Sequence, residues 1–366
     1  MARILFVTWD GGGNVTPAVT LAGELVKRGH GVRFIGHPSQ REALSGRGFC
    51  VQSYRTARAF SASVGSKPLT MVKLFSDRGM GADVLEELAA RPADLVVVDC
   101  LLFGVMDALR ARGIGYVVLE HLYDGYLRKD GLKGPVGLGL RIRGYSPIEL
   151  LGSAATVLVA TAPELDPLSV ARGNREQIGP LVAGRAAMPT EPVVLVSLST
   201  FGYPKMRETL QRIVDAIGEL GVRGIVTTGP LVDPSSLRVG PGIEVHSFVP
   251  HAELMPHVSA VVGHGGHSTT MLALAHDLPV LALTLFGLGD QPRVGRSLQD
   301  AGAGRMMSRR SRSSALRPAI EELLSNIEIR TAAARLGGDI RALDGIATGA
   351  DRIEALIGDM TPRARF

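Results

Sequence analysis

Three loops in the sequence and one carboxylate have the residue types and spacing for chemistry. The richest is His264-Gly265-Gly266-His267-Ser268-Thr269-Thr270, which follows the apolar run Ala260-Val261-Val262. Ser268 and Thr269 stand where the next helix opens, and a helix N-terminus offers unpaired N–H groups and partial positive charge to an anion. Gly265 and Gly266 leave those amides uncovered, while His264, Ser268 and Thr269 add donors. The expected ligand is a phosphate or diphosphate. One histidine alone would read as a core residue, but the coincidence of glycines, hydroxyls and helix start favours the anion. Asp290-Gln291 follows the run Val280-Leu281-Ala282-Leu283 and the loop 284–289. A carboxylate beside an amide at a strand's carboxyl end suits adjacent sugar hydroxyls, and reads equally well as a helix N-cap pair.

The loop Asp10-Gly11-Gly12-Gly13-Asn14 follows the run Ile4-Leu5-Phe6-Val7. It is an incomplete dinucleotide fingerprint. The third glycine would be Thr16, and Gly36-His37 stands where the acidic residue is needed, so a nicotinamide oxidoreductase is disfavoured. The glycines still let a substrate approach the backbone, and a plain tight turn is the alternative. Asp99 closes the run Leu95-Val96-Val97-Val98, as a catalytic carboxylate or as a helix N-cap.

The elements that position these residues alternate. Continuous apolar runs read as strands covered on both faces. Besides those named, they are Val32–Ile35, Tyr116–Leu119, Thr156–Val159, Val193–Val196 and Gly224–Thr227. Thr16 and Pro17 read as N-cap and first residue of a helix whose apolar face is Ala18, Leu21, Ala22 and Leu25. Further helices are expected at 101–112, 205–220, 269–276, 290–301 and 351–360. Segment 37–90 is irregular, and Gly125–Gly144 reads as a mobile, Gly-rich basic loop. Two successive series of βα units predict an α/β chain of two doubly wound domains.

Composition agrees. With 366 residues, 45% hydrophobic and 20% charged, the chain is too apolar for disorder and long enough for two domains. Cys50 and Cys100 make neither a disulfide framework nor a thiolate zinc site, and fit a reducing cytoplasm. The first apolar run is short and Asp10 follows it, unlike a signal peptide. No uncharged stretch reaches the ~18 residues of a membrane span. A net charge of +5 is modest for a nucleic-acid partner, and suits attraction to an anionic substrate.

His264-Gly265-Gly266, Ser268-Thr269, Pro279 and Asp290-Gln291 resemble the donor signature of family-one nucleotide-sugar glycosyltransferases of GT-B fold, of the bacterial natural-product type. Gly13-Asn14, Pro17 and Arg28-Gly29-His30 resemble the same family's acceptor-side entry. The resemblance implies two Rossmann-like domains facing a cleft, residues 1–182 for the acceptor and 190–348 for the nucleotide sugar. A linker spans Gly179–Glu191, and a C-terminal helix and tail, 349–366, returns to the first domain. It further implies that Phe248 and Val249 meet the nucleoside base. Ser199, Thr200, His264, Gly266, Ser268 and Thr269 would meet the diphosphate, and Asp290 and Gln291 the sugar. Gly13, Glu120 and His121 would border the acceptor, in a pocket shaped by 37–90 and 121–148.

Four positions depart from that pattern. Leu272 replaces a glutamate that many relatives use for the ribose, and Ser268 and Asp277 replace common glycines. Asn14 stands where the catalytic histidine is usual, with Asp99 matching the aspartate that orients it. An amide cannot take a proton at neutral pH. Asp10 first, Asp99 second, or else Glu120 or His121, would then be the base, unless the acceptor is already reactive. The expected function is inverting, metal-independent transfer of a hexose from a UDP- or dTDP-sugar to a small natural-product acceptor, with no bound cofactor. The alternative is a binding or partner protein of the same fold that has lost catalysis. Oligomeric state is left open, a homodimer included.

Overall fold

The computed structural model describes residues 1–62, 67–168, 173–287 and 289–360. The chain divides into two units. One comprises Met1–Thr161, Leu168–Leu181 and Asp344–Phe366; the other comprises Ala162–Pro167 and Val182–Leu343. The expected tail Thr361–Phe366 lies outside the described residues, as does Leu288 in the loop before Asp290.

The first unit holds seven strands: β1 Arg3–Val7, β2 Gly31–Gly36, β3 Cys50–Ser53, β4 Leu95–Asp99, β5 Val117–Glu120, β6 Thr156–Val159 and β7 Arg175–Gln177. They pair in parallel in the order β3-β2-β1-β4-β5-β6-β7. The second unit holds β8 Val193–Ser197, β9 Arg223–Thr227, β10 Ile243–His246, β11 Ala260–Gly263, β12 Val280–Thr284 and β13 Gly304–Ser308. Their order is β10-β9-β8-β11-β12-β13, again all parallel. The strand order reverses between β1 and β4 in one sheet and between β8 and β11 in the other. Crevices at such reversals, outside the carboxyl ends of the strands, are where open α/β sheets take ligands.

The doubly wound α/β reading of the sequence holds. Every run read as a strand lies in one, apart from Tyr116 just before β5, because a strand covered by helices on both faces must be apolar throughout. β3, β7, β10 and β13 escaped that reading, and all four are sheet edges. Most of their residues are exposed or only partly buried, so no continuous apolar run marks them.

The expected loop at Gly125–Gly144 is instead largely helical, with short helices at Asp124–Tyr126, Leu127–Gly131 and Pro135–Ile142. Ion pairs hold it: Arg128 reaches Glu120 at 3.1 Å and Asp124 at 2.5 Å, and Arg175 reaches Asp124 at 2.6 Å. The first long helix begins at Val15 with Asn14 as its N-cap residue, two positions before the expected cap Thr16. Asn14 makes no capping bond, because its side chain is committed elsewhere.

The last helix, Gly345–Met360, packs in the first unit. Ala350 and Ile353 are fully buried there in one apolar cluster with Leu21, Leu25, Ile178 and Leu181. Arg28 bonds Asp351 at 2.5 Å and Glu354 at 2.8 Å, and His30 meets Glu354 at 2.8 Å. The Arg28-Gly29-His30 string therefore fastens the chain's last helix to its first. Among the described residues no helix is long and apolar enough to cross a membrane.

Candidate active site

In the second unit the residues expected to take a diphosphate meet at the β8/β11 reversal. β11 ends at Gly263, and the helix His267–Ala275 starts three residues beyond His264 with Gly266 as its N-cap. Gly265 has φ +77°, a backbone that disfavours any side chain. A Cβ on Gly266 would sit 2.5 Å from the His264 imidazole. The two glycines thus let the ring fold back over the helix entrance. Burial pushes His264 down to about 4, against a backbone hydrogen bond with Leu198, so the ring is neutral at physiological pH. Its Nδ1 is buried without a hydrogen-bond partner among the described residues. Ser268 and Thr269 are half-buried in the first turn. Ser199 and Thr200 follow β8, and Ser199 Oγ accepts the Phe201 N–H at 2.9 Å, which tightens that turn.

Phe248 is 68% exposed after β10, with Val249 half-buried beside it. Asp290 and Gln291 open the helix Gln291–Asp300 after β12. Gln291 Oε1 accepts the Leu285 N–H at 2.8 Å and the Phe286 N–H at 3.0 Å. Its carbonyl oxygen is thus engaged in holding the loop. Tyr203, which no sequence pattern marks, stacks on Phe286 at 5.9 Å between centroids and lies 6.4 Å from His264. Burial and then Asp290 push its phenol well up, so it stays neutral.

In the first unit Asp99 stands at the β1/β4 reversal and gathers donors. Its Oδ1 accepts the Leu101 N–H at 3.0 Å, and its Oδ2 accepts Asn14 Nδ2 at 2.9 Å and meets His121 Nε2 at 3.0 Å. Asn14 also donates to the Trp9 carbonyl at 3.1 Å and accepts the Gly11 N–H at 3.1 Å. Burial alone would raise the Asp99 carboxyl, but His121 and the donated hydrogen bonds hold it below the usual carboxylate range. Burial opposes the His121 imidazolium, but Cys100, through its hydrogen bond, and the Asp99 carboxylate hold its pKa well above the usual value.

Asp10, the leading base expected from the sequence, stands apart from this network: its carboxylate accepts Ser39 Oγ at 2.7 Å. Glu120 is fully buried and paired with Arg128, which turns it away from the expected acceptor contact. Asp99, Cys100 and His121 bring potential ligand atoms within 4.8 Å of one another. The Asp99–His121 hydrogen bond already occupies two of them, and burial keeps the Cys100 thiol protonated.

Residues 211–353 match the C-terminal domain of the proteins described as erythromycin biosynthesis protein CIII-like. Over 97% of this chain and 100% of its own length, 4'-demethylrebeccamycin synthase of Lentzea aerocolonigenes is 26% identical. The chain is a glycosyltransferase that resembles the family-one enzymes of the natural-product type along nearly its whole length. Its GT-B fold is shared with the solved glycosyltransferase of kitacinnamycin, at TM-score 0.77 and 24% identity over 97% of this chain and 98% of that one. It is shared also with glycosyltransferase VinC, solved in complex with dTDP, at TM-score 0.72 and 20% identity over 98% and 100%.

Within this glycosyltransferase one departure from the family pattern has a local explanation. Asp277, in place of a common glycine, has φ +64°, the left-handed region that glycine fills without strain. Arg341 bonds its carboxylate at 2.6 Å and the Ala275 carbonyl at 2.8 Å, which offsets the strain while closing the helix His267–Ala275. The sequence could not reveal this pair, since its members are 64 residues apart.

Proposed function

We propose that this glycosyltransferase moves a hexose, with inversion, from a UDP- or dTDP-sugar to a small natural-product acceptor without a metal ion. The observation that carries the reading is the neutral His264 folded over Gly266 at the entrance of the helix His267–Ala275. The departing diphosphate there meets oriented N–H groups and hydroxyls of Ser268 and Thr269. That stabilisation is of the kind a divalent cation otherwise supplies. Asp290, after β12, stands at the end of the sheet suited to the sugar, and Phe248 offers an exposed ring to the base. The acceptor lies beside Gly13 and the Asn14–Asp99–His121 network. dTDP is VinC's ligand, and motivates testing dTDP beside UDP. The cytoplasm is the proposed setting, supported by the two unpaired cysteines.

Turnover of UDP- and dTDP-sugars, by transfer or hydrolysis, should persist in excess chelator. Complete loss with chelator, restored by Mg²⁺, would remove the metal-free part of the reading. His264→Ala and Thr269→Ala should each weaken nucleoside diphosphate binding by about 1–3 kcal/mol, read by calorimetry. Unchanged affinity in both would sink the donor site.

A further inference from the structure

We propose that His121 is the general base that takes the acceptor's proton, with Asp99 and Asn14 as positioning residues. The proposal rests on the transfer reading above and deepens it.

Topology places the three side chains. β4 lies between β1 and β5 in the sheet. Asp99, at the end of β4, can therefore be met from the loop after β1 on one side and from the end of β5 on the other. Asn14 arrives from the first and His121 from the second, both on Asp99 Oδ2, at 2.9 and 3.0 Å. A histidine–aspartate pair thus exists in this unit, on the opposite flank of the carboxylate from Asn14.

Elimination points the same way. Asn14 has no basic lone pair, and both ends of its amide are occupied. Asp99 accepts three hydrogen bonds, which stabilise its anion and weaken it as a base. Asp10 is turned to Ser39, and Glu120 to Arg128. His121 alone of these combines a basic nitrogen with an orienting carboxylate. With Nε2–H donated to Asp99, the lone pair of the neutral ring is on Nδ1, and the Cys100 thiol also hydrogen-bonds the ring. Thr8, Asn14, Asp99 and His121 line a small cavity at the carboxyl ends of β1 and β4 together with the apolar Phe6, Val7, Ala18, Val97 and Leu119. Among the described residues the buried Thr8 hydroxyl has no hydrogen-bond partner.

The step balances. The acceptor O–H proton passes to Nδ1 as its oxygen bonds the anomeric carbon. The bond from that carbon to the donor phosphate oxygen breaks, and its electron pair leaves with the nucleoside diphosphate. Asp99 stabilises the imidazolium until solvent takes the proton.

The charged and titratable groups facing His121 are Asp99 and Cys100 from the end of β4 and Glu120 on its own strand; Asn14 and Thr8 are uncharged. Cys100 is a thiol at neutral pH, so Asp99 is the charge that favours the imidazolium. Turnover should fall as pH drops through a limb above the ordinary histidine value of about 6.5.

The test uses the full chain with UDP-glucose and dTDP-glucose, following transfer to alcohols and hydrolysis. His121→Gln should lower kcat by about 10²–10⁴-fold and erase the limb, with nucleotide affinity unchanged. Asp99→Asn should move the limb to lower pH, and so should the His121 titration seen by NMR in the ligand-free protein. His121→Ala should regain turnover with added imidazole, which a misfolded variant would not do. Full kcat with an intact limb in His121→Gln, or loss of the limb in Asp10→Asn alone, overturns the base assignment and leaves transfer standing. A wild type that consumes neither donor overturns both.

Discussion

His264 shows how a residue type acquires its chemistry from its surroundings. Burial lowers its pKa to about 4, so the ligand-free ring is uncharged at pH 7. A diphosphate beside it favours the charged form and raises that value. A group with a higher pKa in the complex than in the free protein tightens binding as pH falls. The affinity for a UDP-sugar should therefore increase from pH 7 to pH 5 in wild type and stay flat in His264→Ala, measured by calorimetry. The same shift acts on stability in the opposite sense. Below the unfolded value of about 6.5, the unfolded chain takes a proton that the fold refuses. That destabilisation grows from about pH 6.5 down to about 4. Arg341→Ala should cost about 1–2 kcal/mol in denaturant unfolding, since Asp277 keeps its φ of +64° without its partner.

Elements decide where the chain's end is used. The last helix inserts Ile353 into the first unit's core, and Arg28 and His30 fasten its outer side. Ile353→Ala should destabilise that unit by about 2–5 kcal/mol through lost burial and a residual cavity. Arg28→Ala should cost only about 1 kcal/mol, because Asp351 is 66% exposed and water screens the pair. Chemical denaturation of the two variants separates the effects. His30 and Arg28 hold the Glu354 carboxyl below its usual range. Its stabilisation is present above that range and fades as pH falls through the folded value, so the helix should loosen first in acid.

Across the whole molecule each unit has its own sheet and its own apolar cluster, around Leu21, Val97 and Ile353 in one and Val196, Leu210 and Ile320 in the other. Calorimetry should therefore resolve two transitions. Saturating UDP or dTDP should raise the one belonging to the second unit, by about 2.7 kcal/mol at a hundredfold excess over Kd. A single transition, or a shift of the first unit alone, would contradict the placement of the nucleotide site. The net charge of +5 should make donor association slow as salt rises.

The sequence by itself determined the central strands, the two-unit α/β architecture and the glycine-rich entrance of the helix His267–Ala275, because each is written locally. A strand covered on both faces must be apolar throughout, and a helix entrance that receives an anion needs glycines and hydroxyls within a few residues. It could not mark β3, β7, β10 or β13, since an edge strand is half-solvated and its composition is less constrained. Nor could it join Asp99 to its partners. Asn14 is 85 residues away and His121 22, and only the order β1-β4-β5 brings both to one carboxylate oxygen. Asp10, close to Asn14 in the chain, is drawn to Ser39 instead. Strand order within a sheet depends on how helices pack across its faces, so no local pattern records which loops will meet at its carboxyl end.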